Sequence, residues 1–374
     1  MSTSERNKQL LREQRARSQR EALPSALPEA GPYVPPNPLS GFMPQRLTVV
    51  GEPAGHDPAE LMAQAMGFPS QAMGPTFLSY GPAIAEGDAV IEEWESFIFG
   101  SDGSLYNNQY CWILRFDGEQ LRTVREYNDS HHAWLIFSRH GGWPALQPPT
   151  GPRRQHHAIG GAPAVLADEE LETGFEVVDA FDLDPRLLAD VHPTSGPPPL
   201  GDESGLDANK ALVRALRRAR ASGDASLVNT FFAPGYRHFL AGEYPFGWDH
   251  LPLEQIYQPL VDHLASPISV RYGPPIADGD VVFEEMDIFA RLDDGTVYNN
   301  WHAVVHEIRH GKIIQTREYL DTRHVWIVLA RWADWGREPV PVRTRPRRSN
   351  LQSITCTTQT PTMFLDLERW HPFS

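Results

Sequence analysis

The sequence predicts an α+β fold in which one small domain occurs twice. Three observations lead to this prediction. Two stretches of the chain repeat each other at a shift of 192 residues, helix-like segments open the second copy, and three strand-like runs close it. Helices followed by a meander of long antiparallel strands are typical of the α+β class.

The repeat is the first of these observations. Residues 90–139 and 282–331 are identical at 16 of 50 positions without a gap. The segment Asp102-Gly-Ser-Leu-Tyr-Asn-Asn matches Asp294-Gly-Thr-Val-Tyr-Asn-Asn, and a shared Tyr-Gly-Pro segment keeps the same shift upstream. Because chance similarity would not hold one register over this distance, we infer a duplicated domain.

Apolar residues at helical spacing open the second copy. The pattern predicts one helix over 209–220 and another over 253–264. In the first copy, a Pro-rich stretch over 23–38 interrupts the pattern after the first helix.

Three strand-like runs close the second copy. The first spans 281–292 and ends at an Asp-Asp-Gly turn, and the second spans 297–308 and ends at His-Gly-Lys. The third spans 313–320. Since short turns join consecutive runs, we expect an antiparallel meander.

The composition of the chain predicts its domain layout. Copy one is assigned to 1–144 and copy two to 207–336. Between them, 145–206 is rich in Pro and Gly and is predicted to be a linker, with a short helix near 185–190. The tail, 337–374, contains a basic run, which we interpret as part of a solvated, flexible segment rather than a polyanion site.

Charge and composition narrow the classes of partner. The formal net charge is −15, which argues against nucleic acid and anionic membranes as partners. The chain has no run of about 18 apolar residues, and its first 21 residues lack an apolar signal core. Two distant cysteines, Cys111 and Cys356, form neither a disulfide framework nor a metal cluster. The expected compartment is the cytoplasm, and no cofactor or metal is expected.

The shared motifs resemble those of the nuclear transport factor 2-like superfamily. In copy two they are Asp294-Gly, Tyr298-Asn-Asn, Gly311-Lys-Ile and the run from Arg317 to Asp321. The SnoaL-like group is the most similar, with ketosteroid isomerase and limonene epoxide hydrolase as relatives. The superfamily contains enzymes and pure binding domains, so the resemblance is specific for the fold and weak for activity.

The resemblance implies a cone in each copy. In that family a curved antiparallel sheet wraps around N-terminal helices and encloses an apolar pocket. Members usually dimerise through the sheet, so two copies in one chain imply an internal pseudo-dimer. A further homodimer of the whole chain stays open.

Alternation along a strand decides which side chains share a face. On the first strand of copy two, one face carries Phe283, Glu285, Asp287 and Phe289. On the second strand, one face carries Tyr298, Asn300, His302, Val304 and His306. On the third, Glu318 and Leu320 face opposite to Arg317, Tyr319 and Asp321.

The resemblance to epoxide hydrolases implies catalytic roles at matching positions. Their strand-one aspartate matches Asp287, and their strand-three aspartate matches Glu318. Their tyrosine falls near Tyr236 and their asparagine near His238. Their arginine position holds Glu285, so Glu285 and Asp287 are expected to be two like charges on one face. One of these carboxyls would then hold its proton more tightly and suit proton transfer.

Other interpretations of these residues stay open. The SnoaL-like cyclases use a late aspartate as base, which Asp321 or Asp129 matches, and the sequence does not decide whether Glu318 or Asp321 points inward. Glu284 and Glu285 fit a solvated acidic pair about as well as a site. We favour a structural network for Arg317 and its neighbouring tyrosine.

The two copies differ in their polar residues. Copy one has residues 44–46 near the position of Tyr236 and His238. It has Glu95 in place of Asp287, Tyr110 in place of His302, and Leu114 in place of His306. This loss of polar groups suggests the hypothesis that copy two holds the active pocket and that copy one is partly structural.

The predicted function is cofactor-independent acid/base chemistry on a small apolar molecule, such as a polyketide-like or terpenoid compound. The reaction would be an isomerisation, cyclisation, dehydration or hydrolysis, and the alternative is a non-catalytic small-molecule-binding or scaffold protein. The candidate catalytic residues are Asp287, Glu318, Asp321, His302, Tyr236 and His238. The candidate substrate-binding residues are Glu285, Phe289, Tyr298, Asn300, Trp326, Glu95, Tyr106, Glu126 and Asp129.

Overall fold

The computed structural model describes residues 1–22, 46–50, 73–100, 105–137, 176–181, 205–222, 224–242, 253–265, 268–333 and 335. The described helices are α1 (Thr3–Ala22), α2 (Ser130–Phe137), α3 (Leu206–Ala221), α4 (Ala225–Asn229), α5 (Leu253–Asp262) and α6 (Thr322–Leu329). We call the described residues up to 137 half one and those from 176 onwards half two.

The strands form one sheet in each half. Half one contains β1 (Arg46–Val50), β2 (Met73–Tyr80), β3 (Ile84–Glu86), β4 (Ala89–Gly100), β5 (Leu105–Asp117) and β6 (Gln120–Asn128). Half two contains β7 (Glu176–Phe181), β8 (Phe232–Leu240), β9 (Ile268–Tyr272), β10 (Ile276–Asp278), β11 (Val281–Arg291), β12 (Val297–Arg309) and β13 (Lys312–Leu320).

The strand order is the same in the two halves. Sheet one runs β1-β6-β5-β4-β2, with β3 also paired to β4. Sheet two runs β8-β13-β12-β11-β9, with β10 also paired to β11. In each sheet the first strand pairs in parallel and the other described pairs are antiparallel. The predicted α+β class is confirmed.

The strands of the meander in half two match the prediction within one residue at each end. Their alternation and the short turns between them set these limits. The helix prediction over 209–220 corresponds to α3, and the one over 253–264 to α5. The expected helix near 185–190 and the basic tail lie outside the described residues.

Part of the predicted linker belongs to sheet two. Strand β7 pairs antiparallel with β9, with Val178 opposite Val270. The pairing extends the sheet beyond β9. The run Glu-Val-Val-Asp-Ala-Phe is rich in β-formers, which explains why it forms a strand between Pro-rich stretches.

Helices cover one face of each sheet. In half two, apolar residues of α5 and α6 such as Ile256 and Val328 pack with Met286 and Ile288 of β11. In half one, Leu11 of α1 packs with the strands. We refer to the helix-covered face of each sheet as its interior face.

The opposite faces of the two sheets pack against each other. A shared core of buried residues joins Ile91, Ile113 and Tyr127 of half one to Phe283 and Val305 of half two, among others. Both faces of the central strands are therefore buried, one by helices and one by the other sheet.

Equivalent polar contacts cross this junction in both directions. Arg317 donates to Glu93 through Nε (2.7 Å) and Nη2 (2.9 Å), and Tyr319 donates to the same carboxylate (2.7 Å). At positions 192 residues away, Arg125 (2.5 Å) and the Tyr127 hydroxyl (2.7 Å) donate to Glu285. The repeated motif Arg-Glu-Tyr thus supplies the junction with Arg and Tyr.

Candidate functional site

The interior face of sheet two carries a different set of polar residues from its junction face. On β11, Val282 and Met286 lie in the interior cores, whereas Phe283 lies in the junction core. Glu284 therefore points inward, and Asp287 lies on the junction face with Glu285. Asp287 accepts a hydrogen bond from Asn299 Nδ2 (2.8 Å). This corrects the expectation that Asp287 shares a pocket with Glu318.

Glu318 of β13 is the centre of the interior polar cluster. Its Oε2 is 2.7 Å from Nε2 of His238, and its Oε1 contacts Nδ1 of His302. Strands β8 and β12 lie on either side of β13, so they bring one histidine to each carboxylate oxygen. Glu318 is 6% exposed and His302 is 1% exposed, so solvent has little access to this carboxylate–imidazole cluster.

A bulge in β8 places the other members of the cluster. The register of β8 against β13 shifts between Ile313 and Gln315, and Gly235 at the bulge has φ +76°. Glycine adopts this left-handed conformation without strain. The bulge precedes Tyr236, whose hydroxyl lies 3.0 Å from Nδ1 of His238.

Electrostatics hold the Glu318 carboxyl ionised. Burial alone would raise its pKa, but the charge of His302 and hydrogen bonds from His238 and His302 hold that pKa well below its usual range. A carboxylate that binds Nδ1–H of an imidazole fixes the tautomer whose Nε2 carries the free lone pair.

The second nitrogen of His302 is open to the interior. Nε2 is buried and has no hydrogen-bond partner in the part of the chain that the structure describes. Because Nε2 is farther from the backbone than Nδ1, it lies deeper in the interior than the contact with Glu318. His302 therefore carries an unpaired nitrogen on the interior face of sheet two.

Phenols and apolar side chains lie on the same interior face as this cluster. Tyr298 of β12 and Tyr257 of α5 lie near Glu318, and burial raises the pKa of both phenols. Val304 and Leu320 belong to the same interior core. An apolar molecule bearing a few polar atoms suits such a lining.

A second buried chain lies on the same interior face. Nε of Arg217 donates to Glu284 (2.7 Å), whose other oxygen is 3.1 Å from Nε2 of His306. Nδ1 of His306 is 2.9 Å from the Thr316 hydroxyl. Glu284 is fully buried, which excludes the solvated acidic pair considered from the sequence.

Asp321 and Asp129 serve the junction rather than the interior. Asp321 caps α6 by accepting from the His324 amide (3.0 Å) and accepts the Ser130 hydroxyl of half one (2.5 Å). Asp129 accepts the hydroxyl of Thr322 (2.6 Å). Structural hydrogen bonds occupy both carboxylates. This corrects the expectation of a general base or a substrate contact at these two positions.

Other expected contacts also lie away from the interior cluster. Glu285 is bound by Arg125 across the junction, and Phe289 follows it on the junction face. Trp326 on α6 stacks on His131 of half one (4.4 Å between ring centroids). The junction occupies Glu285, which corrects its expected substrate-binding role. The expected roles of Phe289 and Trp326 stay predictions.

Asn300 lies on the interior face, but its side chain has a structural role. Its amide donates to the backbone carbonyl of Asp321 (3.1 Å) and to the hydroxyl of Tyr298 (3.3 Å). Asn108 makes the same contacts in half one, at Asp129 and Tyr106. The shared Tyr-Asn-Asn motif therefore closes the end of each sheet.

The interior of half one is more aromatic. Tyr110, at the position of His302, stacks on Trp94 at 3.8 Å between centroids. Glu126, at the position of Glu318, accepts from Trp112 Nε1 (2.6 Å) and Asn128 Nδ2 (3.0 Å). Burial raises the pKa of Glu126 despite these two hydrogen bonds.

The remaining expected residues of half one divide between the two faces. Tyr106 is interior and bonds the Tyr110 hydroxyl (3.0 Å). Glu95 pairs in register with Gln109 on the junction face, away from that interior. The expected pocket role of Glu95 is corrected for the same reason as that of Asp287.

Strand register refines the comparison of the copies. His238 is paired with Thr316, and the equivalent pair in half one is Leu47 with Val124. The match to residues 44–46 expected from the sequence is therefore displaced by one residue. Because both equivalents are apolar, half one has no counterpart of the pair formed by His238 and Thr316.

Sequence reasoning missed several interior residues. For Glu284 the sequence left a solvated pair and a site equally open, and Arg217, Tyr257 and Thr316 were not singled out. The signal for Glu284 was its alternation with Met286, and the signal for Tyr257 was its helical spacing with Leu260. His306 was recognised only as sharing a face with His302.

The described residues contain neither a candidate metal site nor a candidate membrane-spanning helix. No group of three or more His, Cys, Asp or Glu residues among them is placed to hold a metal ion. No helix in the described segments is long and apolar enough to cross a membrane.

The chain was compared with known proteins. No family model and no curated protein matches it. Among solved structures, a candidate SnoaL-like polyketide cyclase from Jannaschia sp. CCS1 is 14% identical, with 35% of this chain and 98% of that chain covered and a TM-score of 0.28. An NTF2-like protein of unknown function from Burkholderia pseudomallei is 17% identical, with coverages of 33% and 97% and a TM-score of 0.27.

A third match is an epoxide hydrolase from Mycobacterium tuberculosis described as LEH-like. It is 18% identical, with 34% of this chain and 92% of that chain covered and a TM-score of 0.25. The matched proteins carry names from the groups that the sequence motifs resemble. At these identities and TM-scores the matches carry no argument about activity, which must come from the residues of this chain.

Proposed function

We propose that half two is a cofactor-independent acid/base site for a small apolar molecule. One observation carries the proposal: Glu318 binds the imidazoles of His302 and His238, and Nε2 of His302 is buried without a partner among the described residues. A positioned base in a dry interior is what proton abstraction needs.

The proposed step begins at His302. Nε2 takes a proton from the bound molecule, and the resulting imidazolium keeps its Nδ1–H on Glu318. The carboxylate stabilises that positive charge, as an oriented carboxylate does for a catalytic histidine. Return of the same proton to another atom of the molecule completes an isomerisation with all atoms balanced. Tyr236 and His238, which lie beside this base, act as hydrogen-bond donors.

The lining argues for the class of molecule. Apolar core residues and phenols surround the cluster, and a carbonyl compound offers both an acidic C–H bond and an acceptor for a phenol or imidazole donor. A polyketide-like or terpenoid ketone has this chemistry. Dehydration, cyclisation and hydrolysis use the same base and stay within the proposal.

The two halves are proposed to form an internal pseudo-dimer in which half one supports half two. Reciprocal contacts of Arg125 and Arg317 across the junction support this arrangement. The aromatic stack of Tyr110 on Trp94 in half one supports a structural role for its interior. The division of the chain into copies at 1–144 and 207–336 belongs to the same proposal.

Deuterium exchange tests the proposal. The intact protein is incubated with 2-tetralone, an apolar ketone, in D2O, and the protein-dependent exchange of its α-protons is followed by NMR. We expect exchange above the buffer rate in the wild type and a loss of about 100-fold or more in His302→Gln, whose amide can still bind Glu318 but cannot act as a base. Glu126→Gln, the counterpart in half one of Glu318→Gln, should leave exchange unchanged.

Two outcomes would contradict the proposal. Undiminished exchange in His302→Gln would show that His302 is not the base. Equal losses in Glu126→Gln and Glu318→Gln would show that the two halves do not differ in function. If equilibrium dialysis detects bound 2-tetralone but no exchange is seen, the alternative of a non-catalytic binding protein is favoured.

A further inference from the structure

The buried chain behind Tyr236 has no part in the proton abstraction proposed above. It runs from Arg217 through Glu284 and His306 to Thr316. Each of these four side chains is at most 2% exposed. Thr316 is paired in register with His238, so the chain ends beside the Tyr236–His238 pair.

The direction of each hydrogen bond in this chain follows from its charges. Burial would raise the pKa of Glu284, but Arg217, His306 and Arg220 lower it to about 2, so Glu284 is an ionised acceptor. Nε2 of His306 therefore donates to it. Burial lowers the pKa of His306, so its Nδ1 carries no proton and accepts from the hydroxyl of Thr316. The lone pairs of the Thr316 oxygen remain available as acceptors.

Tyr236 lies two residues before His238 on β8, and His238 is paired in register with Thr316. The hydroxyl of Tyr236 is 3.0 Å from Nδ1 of His238, and a hydrogen bond with Thr316 partly offsets the rise in the pKa of Tyr236 that burial causes. When His238 is neutral, its Nε2–H binds Glu318 and its bare Nδ1 accepts the hydrogen of Tyr236. When His238 is protonated, Nδ1–H becomes a donor, and the hydrogen of Tyr236 needs another acceptor. Thr316 is that acceptor.

We propose that Thr316 and His306 are positioning residues for His238, because they let the Tyr236 hydroxyl turn its hydrogen from His238 to Thr316 when His238 takes up a proton. A protonated His238 then places a positive charge against Glu318, the carboxylate that also binds His302, the base of the step proposed above, on which this inference rests. The proton that His238 takes up at Nδ1 comes from water and returns to water when Tyr236 turns back, so no proton is gained or lost.

Half one supports the inference by what replaces these residues. Its equivalents of Thr316, His306, His302 and His238 are Val124, Leu114, Tyr110 and Leu47. The hydroxyl acceptor is therefore replaced together with the histidines. The titratable or charged groups that face His238 from the described elements around it are Glu318 of β13, Tyr236 of β8, His302 and His306 of β12, and Arg220 of α3.

Histidine NMR on the full chain tests the inference without a substrate. Imidazole nitrogens are labelled with 15N, and the His238 signals are assigned by their loss in His238→Gln. In Thr316→Val, the residue that half one uses, the imidazolium of His238 loses support because Tyr236 is left without an acceptor. We expect the titration of His238 to move to lower pH by about half a unit or more.

Two variants make the result decisive. His306→Leu should move the titration of His238 in the same direction, since Thr316 would then turn its own hydrogen away from His306. Thr316→Ser keeps the hydroxyl and should restore wild-type titration. An unchanged titration in Thr316→Val, or a serine variant that behaves like valine, would overturn the inference. Loss of exchange in His302→Gln tests the proposed function separately, so the two can fail independently.

Discussion

Glu318 and Glu126 occupy equivalent positions 192 residues apart, yet their partners differ. Glu318 binds His302 and His238, whereas Glu126 binds Trp112 and Asn128. Histidine partners hold the pKa of Glu318 well below its usual range, and burial raises the pKa of Glu126. The same residue type at the same place in the fold is therefore an ionised orienting group in one half and a carboxyl that holds its proton more tightly in the other.

This difference predicts opposite effects of the same substitution. Glu318→Gln leaves two buried imidazoles without their charged acceptor and should lower the free energy of unfolding by about 1–3 kcal/mol at pH 7. Glu126→Gln replaces a partly buried carboxyl whose pKa burial raises, so stability at pH 7 should stay unchanged or rise. Urea unfolding of both variants measures this, and a larger loss in Glu126→Gln would contradict it.

The ion pair between Arg217 and Glu284 predicts a loss of stability in acid. Arg217 and His306 lower the pKa of Glu284 to about 2, from 4.5 for an unperturbed glutamate. The contribution of this group is therefore present above about pH 4.5 and is lost as the pH falls toward 2. Glu284→Gln should cost about 3–5 kcal/mol at pH 7, because it leaves Arg217 buried without a carboxylate.

The matched control for this prediction is Glu92, which binds Arg15 in half one. Burial raises the pKa of Glu92 despite Arg15, so its contribution is present at low pH and is lost as the pH rises. Unfolding free energies measured from pH 7 to pH 3 should therefore fall less steeply in Glu284→Gln than in wild type, and more steeply in Glu92→Gln. Identical pH profiles for the two variants would contradict the assignment.

The ion pairs across the junction predict coupling between the halves. Arg317 is 1% exposed and binds both Glu93 and Glu307, so Arg317→Met should cost about 3–5 kcal/mol. Arg125 makes the equivalent contact to Glu285 and is partly exposed, so Arg125→Met should cost less stability than Arg317→Met. A double-mutant cycle of Arg317→Met with Glu93→Gln should give a coupling energy of about 1 kcal/mol or more. Additive effects would show that the two residues act independently.

Gly235 at the bulge allows the effect of backbone strain on stability to be distinguished from an effect on the geometry of the site. Gly235 has φ +76°, so Gly235→Ala should cost about 1 kcal/mol and displace the start of the Tyr236–His238 segment. Gly279 has a similar φ of +59° in the turn before β11, so Gly279→Ala imposes comparable strain elsewhere. Thermal unfolding should shift similarly in both, while the His238 imidazole signals should change only in Gly235→Ala. Changed signals in both variants would argue against a specific role for the bulge.

Several features of the fold could be predicted because they depend on local pattern. The meander strands were placed within one residue, since alternation and short turns determine where a strand begins and ends. The strand β7 was missed, because a short run between Pro-rich stretches gains its stability from pairing with β9, a contact distant in sequence.

The candidate site was predicted in part. Glu318, His302, His238 and Tyr236 do meet in the interior of half two. Asp287 and Asp321 do not, and Glu284, for which the sequence left a solvated pair and a site open, is fully buried on the interior face. These errors share one cause, which is the choice of the face that was taken to line the pocket.

The sequence by itself determined the repeat, the limits of the strands and the sets of side chains that share a face. Only the tertiary structure decided which face turns toward the helices. The physical reason is that both faces of the central strands are buried, one by helices around Ile256 and Val328 and the other by the second sheet around Phe283 and Ile113. Hydrophobic alternation identifies the inner face of a strand only when the outer face meets water, and here neither face does.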